Sequence, residues 1–130
     1  MDDTARMTLE RARAIHADLP VIDGHNDLPW AIRLHHDGLD EADTSGPLPQ
    51  RHTDTARLIA GGVGGQFWSV YVPAWTEHPF ATTVEQIELA TEMCARDPQM
   101  ELVRDSGSIQ TVRAAGKVAG LLGSEGGHSI

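Results

Sequence analysis

The stretch Gln66-Phe67-Trp68-Ser69-Val70-Tyr71-Val72 is the clearest strand in the chain. Aromatic and β-branched residues fill it, and Pro73 closes it. Two shorter segments have a similar character. Residues 21–27 begin Val-Ile and become polar at their far end, and residues 118–123 read Val-Ala-Gly-Leu-Leu-Gly. The sequence therefore predicts three strands.

Helices are predicted between and around these strands. The first covers residues 8–19 and stops at Pro20, because the residue before a proline disfavours helical backbone. Two short helices are predicted over residues 54–60 and 108–116, each ending at a glycine. The expected inner face of the first helix consists of Leu9, Ala12, His16 and Leu19, which recur at helical spacing.

A longer helix is predicted behind the central strand. Thr82 and Glu85 match a capping box, in which Thr82 is the N-cap and Glu85 occupies the third helical position. Residues 31–52, by contrast, carry histidines, acids, glycine and prolines, and are predicted to be a solvated loop long enough to act as a functional flap. The expected inner face of the longer helix consists of Val84, Ile87, Thr91 and Cys94.

The alternation of strands and helices predicts an α/β fold. Strands separated by helical segments form βα units and a parallel sheet. Three strands are few for such a sheet, because both its faces and both its edges need cover. We therefore interpret residues 1–130 as one incomplete domain, the amino-terminal part, with about three βα units, of a larger α/β protein.

Composition excludes several classes of protein. The 130 residues carry 10 Lys+Arg and 19 Asp+Glu, a net charge of −9, so no nucleic-acid partner is expected. Cys94 is the only cysteine, which excludes a disulfide scaffold. No apolar run approaches the roughly 20 residues of a membrane helix, and the acidic start does not resemble a secretory signal. The expected location is the cytoplasm.

Ligand-type side chains follow two of the predicted strands. His25 and Asp27 stand at i and i+2, so on a strand they face the same side and can hold one divalent metal. Glu125 follows the last strand among glycines, which lets a carboxylate approach an ion closely. The alternatives are a polar strand end with a helix-capping Asp, and a solvated glutamate in a turn.

Other polar and aromatic side chains are weaker candidates. Asp23 shares the predicted strand face of His25 and is expected to support the ligands, or to cap backbone, rather than to bind metal. His128 follows a Gly-Gly pair and reaches towards the same edge, and Trp30 is expected to line a pocket or to pack. The remaining residues of these types are expected to be solvated loop histidines, packing tryptophans and a small buried thiol: His35, His36, His52, His78, Trp68, Trp75 and Cys94.

Three blocks of sequence resemble the membrane (renal-type) dipeptidases, peptidase family M19. They are residues 21–29, which read Val-Ile-Asp-Gly-His-Asn-Asp-Leu-Pro, residues 61–73 around the central strand, and residues 124–130, which read Ser-Glu-Gly-Gly-His-Ser-Ile. The blocks occur in the order of the family, and the resemblance extends over most of the chain from about residue 10. The middle block is long and therefore specific.

The resemblance implies a (β/α)₈ barrel of the TIM type with two zinc ions at the carboxyl ends of its strands. His25 and Asp27 match the family's ligands to the first zinc, and Glu125 matches its bridging glutamate. The implied reaction is hydrolysis of dipeptides to free amino acids by a hydroxide held between the zinc ions. The family's other ligands and its acid/base residue lie on later strands, so residues 1–130 alone are not expected to be active. The family also often forms homodimers.

Two alternatives remain open at the level of sequence. The first is another binuclear-metal barrel amidohydrolase, since such enzymes also begin with an HxH or HxD pair. The second is a non-catalytic truncated fragment. The Gly-rich block that runs into Gln-Phe-Trp-Ser favours the dipeptidase.

Overall fold

Within the described residues, four parallel strands form one sheet in the order β1-β2-β4-β3. The computed structural model describes residues 3–35 and 38–130, so His36 lies outside the described residues. The elements in chain order are α1 (Asp3–Asp18), β1 (Val21–Asn26), α2 (Leu28–Leu34), α3 (Thr55–Ala60), β2 (Val63–Tyr71), α4 (Pro79–Arg96), β3 (Met100–Leu102), α5 (Ser106–Ala114), β4 (Val118–Glu125) and a 3₁₀ turn (Gly127–Ser129).

The strand count differs from the prediction of three. The additional strand, β3, is only three residues long and pairs with the first half of β4 at the edge of the sheet. A strand this short carries no usable alternation of polar and apolar residues, which is why the sequence did not reveal it. The parallel α/β arrangement itself is confirmed.

One face of the sheet holds the main core. Trp68 of β2 is fully buried there and packs with Met93 and Cys94 of α4. The backbone of Gly120 on β4 comes so close that a Cβ built on it would lie 2.8 Å from the sulfur of Cys94, so only glycine fits. Burial raises the pKa of the Cys94 thiol to about 12, and the residue serves as a small apolar group, as expected.

The opposite face of the sheet leads to the polar strand ends. Phe67, Ser69 and Tyr71 of β2 stand beside Leu121, Gly123 and Glu125 of β4 in register, and paired residues of parallel strands project to the same side. At the amino end of this face, Val112 of α5 packs against Ala119.

Two helix predictions were wrong in detail. The helix α4 begins at Pro79 after the N-cap His78, so Thr82 lies inside it and no capping box forms. A proline at the first helical position is already set for helical backbone, and this start outweighs the later Thr-Glu signal. The buried face of α4 is consequently rotated, and Val84, Ile87 and Thr91 are exposed. Its buried residues are Thr83, Gln86, Ala90, Met93 and Cys94.

The helix α1 also departs from the prediction. It begins at Asp3, five residues earlier than expected, and none of its residues is buried. Ala12 and His16 are half-buried, but Leu9 is 39% and Leu19 71% exposed. The predicted apolar face therefore exists on the helix but is not covered by the described residues.

Residues 31–52 are less open than a solvated flap. Their first residues continue α2 to Leu34, and Ala42, Thr44 and Leu48 further along are buried. The hydroxyl of Thr44 donates a 2.8 Å hydrogen bond to the buried carboxylate of Asp97, which follows α4. This segment is therefore tied to the body of the domain.

The N-cap of α3, Asp54, gives a pH-dependent prediction. Burial raises the pKa of this carboxyl, but bonds from the backbone N–H groups of Arg57 and Leu48, together with the Arg57 guanidinium, outweigh burial and hold it below its ordinary value. Because its pKa is lower in the folded state, the ionised carboxylate stabilises the fold fully above the ordinary pKa. This stabilisation is lost as the pH falls through the lowered pKa. Asp54→Ala should therefore cost about 0.5–2 kcal/mol at pH 7.

That cost should shrink as pH drops below about 4, which urea unfolding at several pH values measures. Asp40→Ala, which removes an exposed carboxylate, is the control and should change stability little. A cost for Asp54→Ala that is equal at pH 3 and pH 7 would contradict the assignment.

Candidate metal centre

The first two candidate ligands lie where β1 passes into α2. The strand ends at Asn26, one residue earlier than predicted, and Asp27 occupies the N-cap position of α2 with φ −86° and ψ 17°. The side chains nevertheless meet, since Nε2 of His25 lies 3.1 Å from Oδ2 of Asp27. The same-side arrangement that the spacing predicted is thus produced by a strand end and a helix start together.

Glu125 reaches this pair from the end of β4. Its Oε2 lies 3.6 Å from Nδ1 of His25 and accepts a 3.2 Å hydrogen bond from the hydroxyl of Ser69 on the intervening strand β2. One ligand atom from each of His25, Asp27 and Glu125 lies within 4.8 Å of the others. The side chains are about half exposed, so the cluster is open to an incoming ion and to substrate.

The electrostatics of the cluster favour a cation. The hydrogen bond that His25 donates to the carboxylate of Asp27 raises the pKa of His25, and the negative charges of Asp27, Glu125 and Asp23 add to this. One imidazole and two carboxylates form the mixed nitrogen and oxygen donor set that zinc accepts in proteins. The residues present therefore fit a divalent metal.

The supporting residues predicted from sequence have separate roles. The carboxylate of Asp23 accepts a 3.1 Å hydrogen bond from the backbone N–H of His25 and stays outside the group of three. Trp30 packs edge-to-face on Tyr71, with ring centroids 5.4 Å apart, and Tyr71 stands beside Glu125 in register. A ring nitrogen of His128 lies 2.9 Å from the backbone carbonyl of Val72, so His128 also stays outside the cluster.

The other histidines and tryptophans divide between core and surface. Among the described residues, His35, His52 and His78 are exposed, in agreement with the prediction of solvated histidines. His35 and His52 line a cavity of about 330 Å³ that Asp27 also borders. Trp75, predicted to pack, is 84% exposed, which shows that an aromatic residue after the strand-ending Pro73 need not enter the core.

Sequence reasoning missed the residues that support the ligands. The strand pattern predicts only that Ser69 belongs to β2, although its alternation with Phe67 and Tyr71 places it on the face that carries Glu125. Gln66, on the opposite face, is fully buried and hydrogen-bonded to Asn26, which stands between His25 and Asp27 in the chain. A polar residue inside an otherwise apolar strand was the available signal, because buried amides require partners.

Comparison with known proteins extends these observations. A family model described as Membrane dipeptidase (Peptidase family M19) matches residues 9–130. Dipeptidase 3 of Rattus norvegicus is 40% identical over 124 residues, which are 93% of this chain and 25% of that protein. Dipeptidase ataJ of Aspergillus terreus is 37% identical over 135 residues, covering 94% of this chain and 32% of that protein. The chain thus spans about a quarter to a third of the length of these relatives.

Solved structures show the same fold. The crystal structure of the dipeptidase AC, a metallopeptidase of family M19, matches 85% of this chain and 36% of its own, with TM-score 0.65 and 23% identity. A metallopeptidase from Rhodobacter sphaeroides, liganded with a phosphinate mimic of L-Ala-D-Ala, covers 85% of this chain and 39% of its own, with TM-score 0.66 and 21% identity. The fold is therefore part of an α/β barrel of the TIM type, which confirms the predicted fold class.

No helix within residues 3–35 and 38–130 combines the length and the apolar character needed to cross a bilayer.

Proposed function

Because the chain belongs to the membrane dipeptidase family, peptidase family M19, we propose that the full-length protein that contains it hydrolyses dipeptides to free amino acids. The reaction takes place at a zinc centre that includes His25, Asp27 and Glu125. One observation carries the proposal. The ligand atoms of these three residues, from the ends of two different strands and a helix start, lie within 4.8 Å of one another. Barrel enzymes place their chemistry at this carboxyl-terminal edge of the strands.

The residues of the site have two roles, because some would bind metal and others orient the metal ligands. His25 and Asp27 would hold one zinc ion, and Glu125 would help to hold both that ion and a second. Zinc, when bound, would lower the pKa of water and polarise the carbonyl of the scissile peptide bond. The hydroxyl of Ser69 holds Oε2 of Glu125 and so fixes the direction of this carboxylate.

The aromatic pair Trp30 and Tyr71 lies beside the cluster and would form one wall of the site. Trp30 and Tyr71 meet at an interplanar angle of 87°, an arrangement that holds both rings in place. Because Tyr71 neighbours Glu125 on the sheet, the wall stands next to the carboxylate that both ions would share. A rigid apolar surface at this position would limit water and orient a small substrate.

The direct test is metal dependence of dipeptide hydrolysis. The full-length protein that contains residues 1–130 is purified, stripped of metal with a chelator, and assayed on alanyl dipeptides with an L or a D residue at the carboxyl end. We expect hydrolysis to disappear on stripping and to return with added zinc, with about two ions bound per protein. Failure to cleave any dipeptide after zinc is restored would refute the proposal, as would turnover unchanged by removal of metal.

A further inference from the structure

The strand that carries His25 is irregular directly beside that residue. Asp23 pairs with Gln66 on β2, but Asn26 pairs with Trp68, so three steps on β1 correspond to two on β2. One extra residue is therefore accommodated at Gly24 and His25. Such bulges redirect side chains and are common beside active sites.

Side chains bond the backbone at this bulge. The N–H of His25 donates to the carboxylate of Asp23 at 3.1 Å. The carbonyl of Asp23 accepts a 3.4 Å hydrogen bond from the amide of Gln66, which also donates to the carbonyl of Phe67 at 3.2 Å. Gln66 is fully buried, and burying an amide is unfavourable unless it is hydrogen-bonded in this way.

Asn26, which stands between His25 and Asp27, is held from both sides. Its amide nitrogen donates to Oε1 of Gln66 at 3.3 Å and to the hydroxyl of Thr53 at 3.0 Å. Its side-chain oxygen Oδ1 accepts a 3.0 Å hydrogen bond from the backbone N–H of Leu28, at the start of α2. The backbone between the two ligands is thereby fixed relative to β2 and to the segment that contains Thr53.

We propose that Gln66 and Thr53, acting through Asn26, are positioning residues that set the geometry of the His25–Asp27 pair for metal. The inference rests on the proposed function, because it concerns the same site. Neither residue belongs to the ligand cluster, and both reach it through Asn26 and the bulge. Groups that orient metal ligands typically change metal affinity when they are lost, even though the ligands remain.

The test measures zinc affinity by competition with a chromophoric chelator, and the absorption spectrum of bound Co²⁺ as a report of ligand geometry. Gln66→Met keeps the volume but removes the amide, and it should weaken zinc binding about 10–100-fold and alter the Co²⁺ spectrum. Thr53→Val removes only the hydroxyl that Asn26 uses, and it should weaken binding in the same direction. Thr53→Ser keeps that hydroxyl and should restore the affinity.

Gln86→Met is the matched control. Gln86 is also a fully buried glutamine, but within the described residues its side-chain amide has no hydrogen-bond partner, and it lies on α4. Gln86→Met should leave zinc affinity and the Co²⁺ spectrum unchanged. Thermal unfolding of each metal-free variant separates a loss of affinity from a general loss of stability.

The outcomes separate the inference from the proposed function. Zinc affinity unchanged in both Gln66→Met and Thr53→Val, in a wild type that binds zinc and cleaves dipeptides, overturns the inference alone. The inference is also overturned if Gln66→Met and Thr53→Val lose affinity only in proportion to their loss of metal-free stability, and Gln86→Met loses affinity in the same proportion. If Gln66→Met does not fold, the contrast between Thr53→Val and Thr53→Ser decides. A wild type that neither binds zinc nor cleaves dipeptides refutes both.

Discussion

Replacing Glu125 with alanine is expected to reduce dipeptide hydrolysis at least about 100-fold, more than the loss of a group that only orients ligands. Glu125 is the only member of the cluster that comes from β4, and its carboxylate is the one proposed to bind both ions. Its removal takes away the group that joins the two halves of the site. His25→Ala should have an effect of the same size, because it removes the nitrogen ligand.

The fold should survive both substitutions. Both side chains are about half exposed, and the sheet is held by apolar packing on the other face. Initial rates with saturating zinc measure the activity, and circular dichroism with thermal unfolding checks the fold. Glu101→Ala, which removes an exposed glutamate from β3, is the control and should retain activity. Near-normal turnover of either ligand variant in saturating zinc would remove that residue from the centre.

Trp68→Ala is expected to lower the free energy of unfolding by about 3–5 kcal/mol, the usual cost of deleting a buried tryptophan. Trp68 is 0% exposed and packs between the central strands and α4, where Cys94 and Gly120 leave no space for rearrangement. Native domains are stable by only about 5–15 kcal/mol, so the variant should lose a large part of its stability.

Trp75→Ala provides the contrast, since Trp75 is 84% exposed. Its unfolding free energy should lie within about 0.5 kcal/mol of the wild type. Chemical denaturation followed by circular dichroism measures both variants. Equal effects of the two substitutions would show that Trp68 is not the centre of the core.

The sequence pattern predicts that His25, Asp27 and Glu125 lie close together, and the structure brings them together although the bounds of several surrounding elements differ from the prediction. These three ligand-type residues follow two separate predicted strands, and the carboxyl ends of neighbouring parallel strands meet at one edge. That argument depends on strand existence and chain order, which long apolar segments reveal well. It does not depend on exact strand ends, so the end of β1 at Asn26 left it intact.

What could not be predicted depends on contacts between distant parts of the chain. The buried carboxylate of Asp97 accepts hydrogen bonds from Thr44 and Thr55, which are 53 and 42 residues away in sequence. These bonds hold in place part of a segment whose composition alone predicts a solvated loop. The bulge in β1 is similar, because its partner Gln66 lies 43 residues from Asp23.

The strand order has a consequence for how the chain assembles during synthesis. Since β4 inserts between β2 and β3, the ribosome releases both of these strands before the strand that they share exists. Until residue 125 emerges, one edge of β2 stays open on its most apolar, uncharged stretch, the type of segment that associates with other chains. We therefore expect nascent chains to depend on chaperones most strongly during this interval. Glu125 is the last residue of β4. The complete strand β4, which covers the open edge of β2, therefore also completes the His25–Asp27–Glu125 cluster.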